Sequence, residues 1–97
     1  MRRIRLSSVA RRDIADARAW YAGQATNLDL VFRDELDRLV EQVRERPSSF
    51  PVVHNSIRRA VFRRFPYGLF FIERRDDLLV LGVLHHARSP ETWKRRL

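Results

Sequence analysis

With 97 residues the chain has room for one hydrophobic core, and an apolar content of 44% with three glycines and four prolines describes a folded chain rather than a disordered one. The absence of cysteine excludes a disulfide framework and a thiolate metal site, and the three histidines, His54, His85 and His86, lack helical ligand spacing, so no metal or cofactor is expected. The formal charge is +8, with every basic residue except Lys94 an arginine, which points to a polyanion or an acidic protein as partner.

The first element is short. Arg3-Ile4-Arg5-Leu6 alternates polar and apolar at period two and reads as a strand with one buried face. Ser7 then offers an N-cap hydroxyl, and Ala10, Ile14, Ala17 and Tyr21, with Trp20 beside them, form the stripe of an amphipathic helix running to about Gln24. Ala25-Thr26-Asn27 interrupts that pattern. Leu28, Phe32, Leu36, Leu39 and Val43 make a second helical stripe, widened by Val31 and Val40, with Asp29, Asp34, Glu35, Asp37, Glu41 and Glu45 assigned to the other side. Arg46-Pro47 stops this helix, because the residue before a proline disfavours helical backbone. A two-helix hairpin follows from the short connection.

Pro47 to Asn55 reads as a loop, and a meander of strands comes after it. Ile57 to Arg64 alternates with Ile57 and Val61 on one face and Ala60 and Phe62 on the other, until Pro66 breaks it. Tyr67 to Arg74 supplies a second strand, and Asp76-Asp77 stands at a tight turn. The run Leu78 to Leu84 is apolar at every non-glycine position, as a strand covered on both faces should be. It is also the longest apolar run and falls far short of the ~20 residues of a membrane-spanning helix, so a soluble cytoplasmic protein with no membrane partner is expected. No internal repeat or glycine-rich phosphate loop occurs, and residues 1–97 read as one domain.

Charge is unevenly distributed along this order. Residues 1–26 carry six basic and two acidic side chains, residues 27–46 four and six, and residues 47–97 ten and four. The excess therefore sits on the two ends of the chain. In the C-terminal part, His85 and His86 end an apolar strand, where neighbouring side chains point to opposite faces, so they cannot share one site. A histidine gathered with Arg63 and Arg88 would suit RNA cleavage, since its pKa lies near neutrality and arginines stabilise a charged phosphorane. The plain alternative is a pair of strand-end histidines that meet solvent. Phe62, Tyr67, Phe70 and Phe71 suit either base stacking or a core, and Trp93, in the basic tail Ser89-Pro90-Glu91-Thr92-Trp93-Lys94-Arg95-Arg96, either docks back on the sheet or awaits a partner.

Taken in order, Leu6-Ser7 through Trp20-Tyr21, the second helix ending at Pro47, Ile57-Arg58-Arg59 through Arg64-Phe65-Pro66-Tyr67, and Val83-Leu84-His85-His86-Ala87-Arg88 through Pro90-Glu91-Thr92-Trp93 resemble the RelE/ParE superfamily of bacterial toxins. The resemblance covers the whole chain. It implies an α+β fold of order β-α-α-β-β-β, with a two-helix hairpin on one face of an antiparallel sheet and the other face open to partners. It further implies the toxin of a type II toxin–antitoxin pair, held by a cognate antitoxin in a hetero-oligomer. Two branches are open. RelE-like members are ribosome-dependent mRNA endonucleases, a role that would fall to His85, His86, Arg63 and Arg88, whereas ParE-like members poison DNA gyrase. No tyrosine follows the last strand here, and the Arg64-to-Tyr67 and Leu84-to-Trp93 segments look more like the ParE and plasmid-stabilisation branch, which is favoured. On that reading Arg58, Arg59, Arg64, Tyr67, Trp93, Arg95 and Arg96 form the partner-binding set.

Overall fold

A computed structural model describes residues 2–97. The elements run β1 (Arg3–Leu6), α1 (Ser8–Gln24), α2 (Leu28–Glu45), a 3-10 turn (Pro47–Ser49), β2 (Val52–His54), β3 (Ile57–Val61), β4 (Tyr67–Glu73), β5 (Asp77–His85) and α3 (Pro90–Lys94). Ser7 caps α1 by accepting the Ala10 N–H on its hydroxyl at 3.0 Å, as its side chain suggests. Asn27 turns the chain between the helices in the left-handed conformation, at φ 64°, which asparagine tolerates better than most residues. Its carbonyl accepts the first helical N–H groups, from Leu30 and Val31.

The sheet order is β1-β5-β4-β3-β2. Strands β3 to β5 pair antiparallel as expected and β2 adds antiparallel to β3, but β1 joins β5 in parallel, so the sheet is mixed rather than purely antiparallel. Parity accounts for this. The two helices return the chain to the end where β1 finished, and after three further reversals β5 runs in the direction of β1. Two elements depart from the expected order. The stretch expected as a loop contains β2, a three-residue edge strand hidden by the flanking Pro51 and closed on β3 by Asn55 at φ 50°. The basic tail contains α3, capped by Ser89 and started by Pro90.

The main core lies between the helices and the sheet. Ala10 and Ala17 of α1 and Phe32, Leu36, Leu39 and Val43 of α2 pack on Ala60, Leu69, Phe71, Leu78, Val80 and Val83. Phe32 stacks on Phe62 at 5.0 Å and meets Phe65 and Tyr67 edge-on, so the α2 stripe is pinned by aromatic contacts at one end of the sheet. A bulge in β5 opposite Phe70 and Phe71 leaves Leu81 without a partner. The extra residue reverses the alternation, so Leu78, Val80 and Val83 face the helices while Leu79, Leu81 and Leu84 face the opposite side. That reversal decides where the two histidines go.

Candidate functional site

The sheet face turned away from α1 and α2 has its own apolar cluster, Ile57, Phe70, Leu81, Leu84 and Trp93. Trp93 docks back on the sheet. Its ring stacks on Phe70 at 4.7 Å with an interplanar angle of 16°, meets His54 edge-on, and is only 8% exposed. The single turn of α3 therefore covers the middle of the open face. Beyond it the sheet end opens into a cleft of about 360 Å³, lined by Arg59, Val61, Phe70, Leu84, His85, His86, Arg88, Pro90 and Trp93. None of these is a carboxylate.

Arg59 lies across Gly68. A β-carbon at Gly68 would meet the Arg59 Cδ at 3.3 Å and Cγ at 3.4 Å, so the glycine gives the arginine stem its path over the sheet. Arg59 Nε is buried and has no hydrogen-bond partner among the described residues. Arg18 and Arg44 share that condition at Nε, but their terminal nitrogens form ion pairs with Asp29 and Glu41, whereas the Arg59 guanidinium pairs with nothing described. Arg88 and His86 are exposed and likewise without an ion-pair partner among the described residues.

His85 stands opposite Tyr67 in the sheet, and its ring packs edge-on against that tyrosine at 5.3 Å, on the side that carries the helices. Its Nδ1 accepts the Ala87 N–H at 2.9 Å. In the neutral ring the proton then resides on Nε2, which makes that nitrogen a donor rather than a base. Tyr67 is in turn packed against Tyr21 and Phe32, and burial, reinforced by Tyr21 and opposed by Arg88, raises its phenol above the ordinary value. The phenol stays protonated at neutral pH.

The remaining residues singled out from the sequence separate into two groups. Arg58 is taken up within the fold, donating from Nε to Glu73 at 3.0 Å and from Nη1 to the Phe50 carbonyl at 2.6 Å. Arg96 is similarly engaged with Asp13. Arg63 and Arg64 are exposed at the β3–β4 turn, and Arg95 is exposed after α3. Arg63 lines a depression with Glu35, Arg38 and Gln42 rather than the cleft, so the arginine that joins His86 and Arg88 is Arg59.

Glu35, expected on the polar side of its helix, is only 6% exposed. Its carboxylate accepts the backbone N–H of Arg63 through Oε2 and that of Arg64 through Oε1, the latter at 3.1 Å. These bonds clamp the turn from Phe62 to Pro66 onto α2. The signal was in the spacing, because Glu35 stands three residues after Phe32 and four before Leu39, on the buried stripe itself.

The layers and the sheet order define a small α+β protein with a helix hairpin on one face and a carboxylate-free basic cleft on the other. Among solved structures, the chain is similar to one from the chromosomal ParDE TA system of P. aeruginosa, with a TM-score of 0.78, 13% identity, and 88% of this chain and 96% of that chain covered. No curated protein matches the sequence. The family model described as the ParE toxin of type II toxin-antitoxin system, parDE, matches residues 4–90, and the chain belongs to that family of toxins. No helix among the described residues is long and apolar enough to cross a membrane.

Proposed function

We propose that this toxin arrests growth by poisoning DNA gyrase and that a cognate antitoxin neutralises it. The observation that carries the choice of target is the placement of His85. RNA cleavage needs one group to take a proton from the 2′-hydroxyl and another to return one to the leaving oxygen. With the His85 ring turned to Tyr67 and its Nδ1 occupied by the Ala87 N–H, His86 is the one histidine of the cleft with neither ring nitrogen engaged among the described residues. This supports the gyrase reading over a ribosome-dependent endonuclease.

A second surface supports the antitoxin. The free edge of β1 borders a groove of about 610 Å³, floored by Ile4, Leu6, Ile14, Leu36 and Val40 and rimmed by Arg3, Arg5 and Arg11. An unpaired strand edge beside an apolar groove whose rim carries three arginines against the single acid Asp37 suits an acidic, flexible segment that folds as it binds. The test is pulse labelling of DNA and protein synthesis just after induction of the toxin alone, followed by cleavage assays with purified gyrase. Early collapse of DNA synthesis with trapped gyrase–DNA cleavage is expected. Prompt loss of translation with DNA synthesis continuing would overturn the proposal in favour of mRNA cleavage.

A further inference from the structure

We infer that the cleft formed by Arg59, His86 and Arg88 binds a phosphodiester of a nucleic-acid backbone and does not cleave it. Three observations converge. The lining contains two arginines and two histidines and no carboxylate. Arg59 and Arg88 have no ion-pair partner among the described residues, and the grooves lined by Arg3, Arg5, Arg11 or Arg63 each include a carboxylate, Asp37, Asp77 or Glu35, as this cleft does not. Finally, the Arg59 stem is laid over Gly68, which lets it run along the cleft wall with no side chain in its way.

A phosphodiester meets these requirements better than a carboxylate-bearing peptide. Its two non-bridging oxygens lie in the plane geometry that a guanidinium fork recognises, and two forks on one small cleft can share one tetrahedral anion. The flanking Val61, half exposed, and Pro90 offer apolar contact to the adjoining sugar. Binding without cleavage follows from the engagement of His85 by Tyr67 and the Ala87 N–H, which leaves His86 alone for two proton transfers. The anion could come from DNA held by gyrase or from RNA. The DNA source rests on the proposed function, whereas the phosphodiester site itself does not.

The test is fluorescence anisotropy of the full chain with fluorescein-labelled DNA and RNA strands of roughly 12 nucleotides, across a salt series. Arg88→Gln alters an exposed side chain and leaves the core untouched; it should weaken binding about tenfold and lower the salt slope by about one unit. Arg59→Gln combined with Arg88→Gln should lose more. Arg12→Gln combined with Arg75→Gln removes the same charge from exposed positions outside the cleft. Equal losses in the two double variants would overturn the site, because the binding would then be a property of net charge. Cleavage of the RNA strand would overturn the binding-only assignment. The double cleft variant is then assayed with gyrase and DNA. Loss of trapped cleavage places the phosphodiester on gyrase-held DNA; retained trapping with weakened oligonucleotide binding upholds the site and removes gyrase-held DNA as its source.

Discussion

Arg96 and Asp13, 83 positions apart, form an ion pair of 2.5 Å that substitutes for a strand. Strand β1 stops pairing at Leu6, opposite Val80, and the chain turns into α1, so the following edge of β5 has no neighbour. Arg96 Nη1 donates to the Leu81 carbonyl at 3.2 Å, and Asp13 Oδ2 accepts the Val83 N–H at 3.0 Å. The pair thus satisfies backbone groups at the bulge and just beyond it. Because it also ties the C-terminal tail to α1, it holds α3 against the open face.

Breaking that pair should be costly. Both side chains are largely buried, and removing one partner leaves an uncompensated charge as well as an orphaned backbone group. Asp13→Ala and Arg96→Ala are each expected to destabilise the fold by about 3 kcal/mol, read as a lower urea midpoint at constant m-value. The double variant should lose clearly less than the two single losses combined.

Gly82 tests the same contact from the backbone. A β-carbon there would overlap Arg96 Nη1 and lie 3.2 Å from Asp13 Oδ2. Gly82→Ala should cost about 1–3 kcal/mol in the native background and much less once Arg96 is alanine, because the obstruction is then gone. Equal costs in both backgrounds would show that the glycine serves another purpose.

Glu35 should govern the β3–β4 turn. Glu35→Ala strips two part-buried backbone N–H groups of their acceptor, for an expected loss of about 1–3 kcal/mol, and Glu35→Gln, which keeps one acceptor oxygen, should lose less. Hydrogen exchange reads the mechanism directly. The Arg63 and Arg64 amides should lose protection in Glu35→Ala while the amides of α1 keep theirs.

Acid should loosen the sheet through Glu73. Its hydrogen bond from Arg2 at 2.7 Å, with the charges of Arg2 and Arg58, holds its carboxyl below the ordinary glutamate value. A carboxyl lowered in the folded state contributes stability that is fully present above its unfolded pKa and is lost as pH falls through its folded pKa. Thermal unfolding should therefore show a stability decline on the acid side of the ordinary glutamate range. Glu73→Gln should flatten that decline while lowering stability at neutral pH.

The two tryptophans should report separately. Trp93 is stacked and buried, whereas Trp20 on α1 is 62% exposed. In a Trp20→Phe background the remaining fluorescence should be blue-shifted and should move to the red when α3 undocks. Trp93→Ala removes the stack on Phe70 and is expected to cost about 3 kcal/mol. Its near-ultraviolet circular dichroism should lose the signal of a fixed indole.

Local periodicity carried much of the fold. The stripes from Ala10 to Tyr21 and from Leu28 to Val43 determined both long helices, Ser7 and Pro47 marked their bounds, and the apolar run from Leu78 to Leu84 identified the strand buried on both faces, because each of these signals acts within a few residues. The order of the family segments likewise sufficed to place the chain among ParE-like toxins. Side-chain partnership was decided by the tertiary structure alone. The Leu81 bulge reverses the strand alternation and sends the His85 ring to Tyr67, and contacts spanning 28 and 83 positions consume Glu35 and Arg96. Nineteen arginines look alike in sequence; which of them meet an acid, and which are left free in a cleft, depends on distances that exist only after the ends of the chain have been brought together.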